Sequence, residues 1–178
     1  LHAQTDTVDR RIVLIGDAGQ LTDGRHPVVE AVRNLIPLDN KTTIFFLGDN
    51  VYRNGLPDST SSAYSKYRAI LDSQLLIAEN TAARVVMIPG NHDWENGSRT
   101  GYDAIVRQQL YANIVLNRPN VKYRPEDGCP GPDTIQVGND VLVILFDSQW
   151  WLHLYDKPEI ESDCKCKTPD ELVTQIRD

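Results

Sequence analysis

The chain has 178 residues, 40% hydrophobic and 24% charged, with a formal net charge of −7. That length suits one domain with a real core. The acidic balance excludes an ordinary nucleic-acid surface, which needs Lys and Arg in excess, and no apolar run is long enough to span a membrane. An anionic substrate would need a local cation, which a bound metal would supply.

The opening Leu1-His2-Ala3-Gln4 reads equally as the tail of a secretory signal, with small Ala3 before the cut, or as a tag scar. Residues 1–10 are therefore set apart as a signal remnant or N-terminal extension, and the signal reading implies a secreted, periplasmic or cell-envelope protein. Arg11–Ile15 (RIVLI) is a short β-branched strand that runs into Gly16-Asp17-Ala18-Gly19. Pro27–Leu35 has helical spacing. Thr42–Leu47 (TTIFFL) is a second buried strand, and it stops at Gly48-Asp49-Asn50, with Tyr52 three residues after the aspartate. Ser62–Glu79 reads as a long helix with Tyr64, Tyr67, Ile70, Leu71 and Leu75 on one face. Arg84–Ile88 (RVVMI) is a third strand, followed by Pro89-Gly90-Asn91-His92-Asp93, and Tyr102–Leu116 is a further helix. Thr134–Val137 and Val141–Phe146 flank Gly138-Asn139, a hairpin signal. The first part alternates strand and helix, so its strands should be parallel; the later part should be antiparallel. Cys129 can pair with either Cys164 or Cys166, leaving an odd thiol. The lone Cys-x-Cys is a poor zinc signal.

Three apolar strands thus end in the same way, at Gly-Asp, Gly-Asp and Gly-Asn-His-Asp. In an α/β sheet, sites form outside the carboxyl ends of the strands. The three loops should converge and bring Asp17, Asp49, Tyr52, Asn91 and His92 together. Oxygen donors clustered this way suit hard cations. Paired carboxylates repel each other unless a cation lies between them.

GDAG, GDNVY and GNHD resemble the first three motifs of the calcineurin-like metallophosphoesterases. Most of that superfamily has a histidine two residues after the first aspartate, where this chain has Gly19. The purple acid phosphatase branch has glycine there and a tyrosine three residues after the second aspartate, as Tyr52 is here. The resemblance covers roughly Arg11 to Asp147. It implies an α/β fold: a four-layer α/β/β/α sandwich of two mixed sheets flanked by helices, spanning residues 11–178. It also implies hydrolysis of a phosphate ester, most naturally a monoester, at two metal ions, Fe(III) plus a divalent Fe, Zn or Mn. By resemblance, Asp17 and Tyr52 bind the ferric ion, Asp49 bridges, Asn91 binds the divalent ion, and His92 contacts the phosphate and protonates the leaving oxygen. Phenolate is a hard donor used for ferric iron elsewhere, and histidine titrates in the range a leaving alcohol needs.

Around this set, Asn50 is expected to support the ligands, and Asp93 to steady its loop or orient His92. Arg53, Trp94 and Tyr102 are candidates for the substrate pocket, although surface or packing roles are the commoner fate of each. Trp150-Trp151 reads as core, and His2, His26 and His153 as surface residues. A phosphodiesterase of the same fold, and a non-catalytic secreted or surface binding module, are the competing readings.

The sequence departs from the resemblance in one respect. The family completes its site with three further histidines, one after a later strand and two in a Gly-His-x-His segment, and none follows His153. Thr168-Pro169-Asp170-Glu171 opens a helix as a capping box. That helix continues for barely two turns. The expectation is an N-terminal portion of a longer phosphoesterase, inactive by itself, whose remaining half lies elsewhere in the same domain or in a larger envelope protein.

Overall fold

The computed structural model describes residues 8–115 and 117–178; the signal reading of Leu1–Gln4 lies outside them. Strands β1 (Arg11–Ile15), β2 (Thr42–Leu47), β3 (Arg84–Ile88) and β4 (Val121–Tyr123) form one parallel sheet in that order. In β2 every residue but Leu47 is buried, as a central strand covered on both faces requires. One face is covered by helices α1 (Pro27–Leu35), α2 (Tyr64–Leu75) and α3 (Gly101–Leu110). They contribute Val29, Ile70, Leu71, Leu75 and Ile105 to a core shared with Ile44, Phe46, Val85 and Met87. The opposite face is covered by an antiparallel hairpin, β5 (Asp133–Val137) and β6 (Val141–Leu145), whose Val137 and Leu145 pack on Phe45 and Val86. Helix α4 (Ser148–Leu152) and helix α5 (Pro169–Arg177) follow. A parallel sheet and a second sheet flanked by helices is the α/β architecture that the resemblance implies.

The hairpin covers only part of its face. Leu14 points to the same side as its register partner Phe45, yet it is 61% exposed, and Ile12 and Leu47 are also exposed. On the outer side of the hairpin, Leu142 and Ile144 face solvent. Among the described residues nothing pairs with the free edge of β6.

Several elements differ from the sequence reading. Helix α2 stops at Leu75 and tightens into a 3₁₀ turn at Leu76–Ala78, because Glu79 is extended and Asn80 is left-handed (φ 55°). Helix α3 begins at Gly101 and ends at Leu110, widening into a π turn over Tyr111–Val115. Strand β4 has three residues, too few to give a periodic signal, and α4 is only five residues long. The Thr168 half of the capping box is present, accepting from the Glu171 N–H at 3.2 Å with Pro169 in the first turn, while the Glu171 carboxylate accepts from the Lys167 N–H at 2.7 Å.

Two histidines placed at the surface by sequence are buried. His26 caps α1, accepting from the Val29 N–H at 3.3 Å through Nδ1, while Nε2 donates to the Ala18 carbonyl at 2.9 Å. His153 packs against the Trp94 ring at 4.7 Å. Of the tryptophan pair, Trp150 is core and Trp151 is exposed.

Cys129 is bonded to Cys164, and Cys166 is a buried free thiol. Thiol titration of the denatured, unreduced protein should therefore find one thiol per chain, on Cys166. Finding three, or finding the thiol on Cys164, would contradict this pairing.

Candidate active site

The parallel register aligns the carboxyl ends of β1, β2 and β3, with Ile15 opposite Phe46 and Leu47 opposite Ile88. The three loops therefore leave the sheet side by side. Asp17 and Asp49 follow glycines and both adopt left-handed backbone (φ 55° and 53°). That conformation is uncommon for residues with a side chain and is found where surrounding structure enforces it. Gly48 and Gly90 are packed so closely that a Cβ on Gly48 would lie 2.9 Å from the Gly90 Cα, and a Cβ on Gly90 would collide with the backbone and carboxylate of Asp49.

Of the predicted residues, Asp17, Asp49, Tyr52 and His92 come together. The Tyr52 hydroxyl donates to Asp17 Oδ1 at 2.6 Å and lies 3.3 Å from Asp49 Oδ2. Asp49 Oδ1 accepts from the His92 N–H at 3.1 Å, which joins the second loop to the third. The His92 ring stands edge-on to the Tyr52 ring, with centroids 4.6 Å apart. Its Nδ1 donates to the Arg53 carbonyl at 2.7 Å, so Nε2 is the nitrogen left for a substrate. Asn91 sits beside His92, but its amide nitrogen is turned to Asn96 Oδ1 at 3.1 Å, leaving Oδ1 as its available donor atom.

Asn50 and Asp93 lie behind this layer. The Asp93 carboxylate is wholly buried and accepts from the Gly90, Asn50 and Val51 N–H groups, at 2.8, 3.0 and 3.1 Å, and from Asn50 Nδ2 at 3.1 Å. Asn50 Nδ2 also donates to the Ile88 carbonyl at 2.8 Å. These two residues lock the second loop to the third. Burial, helped by the Asp49 charge, pushes the Asp93 carboxyl up to about 7 against the pull of these N–H donors. Asp147 is a second buried carboxylate. It caps α4 and accepts from the Trp94 indole N–H at 2.7 Å, and burial likewise pushes it up to about 7. Trp94 and Tyr102 are packing residues: Trp94 is buried, with the Tyr102 ring stacked at 6.3 Å.

Three supporting residues escaped the sequence reading. Gln74 lies buried on the apolar face of α2, and its Nε2 donates to the Ala18 carbonyl at 2.9 Å and the Asn50 carbonyl at 2.6 Å, tying the first loop to the second. A glutamine among Ile70, Leu71 and Leu75 was the available signal. His26 holds the same Ala18 carbonyl, and its place just before Pro27 marked it as a cap. Asn96 holds Asn91 and also donates to the Arg53 carbonyl at 2.8 Å; nothing in its local sequence announced that.

A model of the calcineurin-like phosphoesterase family matches residues 10–163. The chain belongs to that family. Comparison with curated proteins and with solved structures found no match. Family membership makes this a metal-dependent phosphoester hydrolase fold, and such phosphoesterases generally bind two metal ions. The donor set suits hard cations: the Tyr52 phenol lies within hydrogen-bond reach of both the Asp17 and the Asp49 carboxylate. No group of three or more His, Cys, Asp and Glu side chains with metal-binding geometry occurs among the described residues. Among the described residues no helix is long and apolar enough to cross a membrane.

Asp93→Ala leaves the buried Asn50 and Val51 N–H groups and the part-buried Gly90 N–H without an acceptor, while Asn50 Nδ2 keeps the Ile88 carbonyl. At a cost of about 1–3 kcal/mol for each unsatisfied buried group, partly relieved by relaxation, the variant should lose at least ~3 kcal/mol of unfolding free energy in denaturant melts. A loss under ~1 kcal/mol would mean that Asp93 does not hold the loops.

Proposed function

We propose that this phosphoesterase hydrolyses phosphate monoesters at a dinuclear centre of the purple acid phosphatase kind, outside the cytosol. The observation that carries the reading is the fit between Gly19 and Tyr52. A Cβ on Gly19 would lie 2.6 Å from the Tyr52 N and the Asp49 carbonyl, and 3.0 Å from Tyr52 Cδ2. The two nearest atoms are backbone and exclude any side chain at position 19, and the Tyr52 ring closes what space is left; in this reading the glycine and the tyrosine are the two halves of one exchange relative to the wider family.

In this reading Asp17 and Tyr52 would hold the ferric ion, Asp49 would bridge, and Asn91 would hold the divalent Fe, Zn or Mn. When bound, the metals supply positive charge for the phosphate and lower the pKa of water. The chain's own residues do the rest. Burial, then the hydrogen bond to Asp17 and the two nearby carboxylates, raise the Tyr52 hydroxyl well above an ordinary phenol. Tyr52 is thus a neutral donor until a cation offsets those charges. His92, fixed through Nδ1 by the Arg53 carbonyl, presents Nε2 to the leaving oxygen and, when protonated, delivers the proton that an alkoxide needs. The Cys129–Cys164 disulfide supports a secreted or envelope location, since such bonds persist in oxidising compartments.

His92→Ala in the whole protein should retain both metals and lower kcat by roughly 10²–10⁴-fold on an alkyl phosphate, and by much less on an activated aryl phosphate whose leaving group needs no proton. Asp49→Ala should instead lose metal by elemental analysis. Equal losses on both esters would show that His92 binds rather than protonates, and absence of hydrolysis by the metal-loaded wild type would favour a binding module.

A further inference from the structure

A cavity of about 380 Å³ opens beside the candidate centre, with Gly19, Leu21, Tyr52, Arg53, Lys66 and Tyr67 among its lining residues. Two of these, Gly19 and Tyr52, belong to the loops that present Asp17 and Asp49. The cavity therefore adjoins the loops that would hold a phosphoryl group, sharing Tyr52 with them. The lining is of two kinds. Leu21 and Tyr67 are half-buried and offer an apolar and aromatic wall. Arg53 and Lys66 are exposed, and neither forms an ion pair among the described residues. Lys66 Nζ lies 6.0 Å from the centre of the Tyr67 ring. The placement of Arg53 is fixed at its root, because its carbonyl accepts from both His92 Nδ1 and Asn96 Nδ2.

Two unpaired cations beside an aromatic wall stand out in a protein of net charge −7. Solvated surface cations need no ligand, but these two share a concave lining with the Tyr52 ring. We propose that the cavity is a leaving-group subsite, selecting phosphate esters whose alcohol part carries a second anionic group on a flat or apolar body. Lys66 and Arg53 meet the distal anion, and Tyr67 and Leu21 meet the body. The proposal rests on the phosphoesterase reading and names the substrate class for that site.

The test compares 4-carboxyphenyl phosphate with its neutral carboxamide on the whole, metal-loaded protein. An exposed cation is worth up to about a factor of five against an anion. The wild type should therefore prefer the carboxylate in kcat/KM by about fivefold or more, expressed in KM and weakened by added salt. Lys66→Ala should bring the ratio towards one, Lys66→Glu should bring it below one, and Lys66→Arg should restore it. A wild-type ratio near one, or a ratio indifferent to Lys66→Glu, overturns the subsite. If neither ester is hydrolysed, the phosphoesterase reading fails, and the subsite is judged on calorimetric binding of 4-carboxyphenylphosphonate against its carboxamide. The same order of affinities is then expected, and equal or absent binding overturns it.

Discussion

Asp93 is wholly buried, and four N–H donors from the two loops that follow β2 and β3 converge on its carboxylate. A buried anion is costly unless it is surrounded by donors, so the carboxylate and the two loops are stable only together. Once they are joined, the positions of Asp49 and His92 follow. Asp49 Oδ1 accepts from the His92 N–H, Gly48 meets Gly90 without side chains between them, and the His92 ring is delivered against Tyr52. Gln74 and His26 extend the same device to the first loop by holding the Ala18 carbonyl. The chemistry-bearing face is thus imposed from behind by buried hydrogen bonds, with no requirement that its own acidic groups attract one another.

That support matters because the face is electrostatically unfavourable by itself. Asp17, Asp49 and Tyr52 crowd their oxygens together, and the Tyr52 proton and the His92 N–H that Asp49 accepts are the local relief. A cation placed among them reverses every one of these penalties. The left-handed backbone at Asp17 and Asp49 belongs to the same arrangement, since it is tolerated only where neighbouring structure holds it.

The three strand-end loops were legible in the sequence because each is a contiguous apolar run followed by Gly-Asp or Gly-Asn-His-Asp, and parallel register guarantees that such ends meet. Pattern also gave α1, the apolar face of α2 and the β5–β6 hairpin. What it could not give depends on partners distant in the chain. Gln74 looks like a blemish on an apolar face until the Ala18 and Asn50 carbonyls arrive above it. His153 reads as an ordinary histidine until Trp94 closes on it. Strand β4 is too short for any period and exists because β3 offers it an edge. Lys66 carries no pattern signal of its own, and its place in a cavity lined by Tyr52 shows only in the fold.

The central claim of the proposed function is that Tyr52, packed against Gly19, joins Asp17 as a phenolate on a ferric ion. Visible absorption of the iron-loaded, oxidised whole protein tests it most directly. A tyrosinate-to-iron charge-transfer band should be present in the wild type and absent in Tyr52→Phe, with iron still bound by Asp17 and Asp49. A colourless wild type that holds iron in this site, or a band that survives Tyr52→Phe, would contradict the account and leave only membership of the wider family.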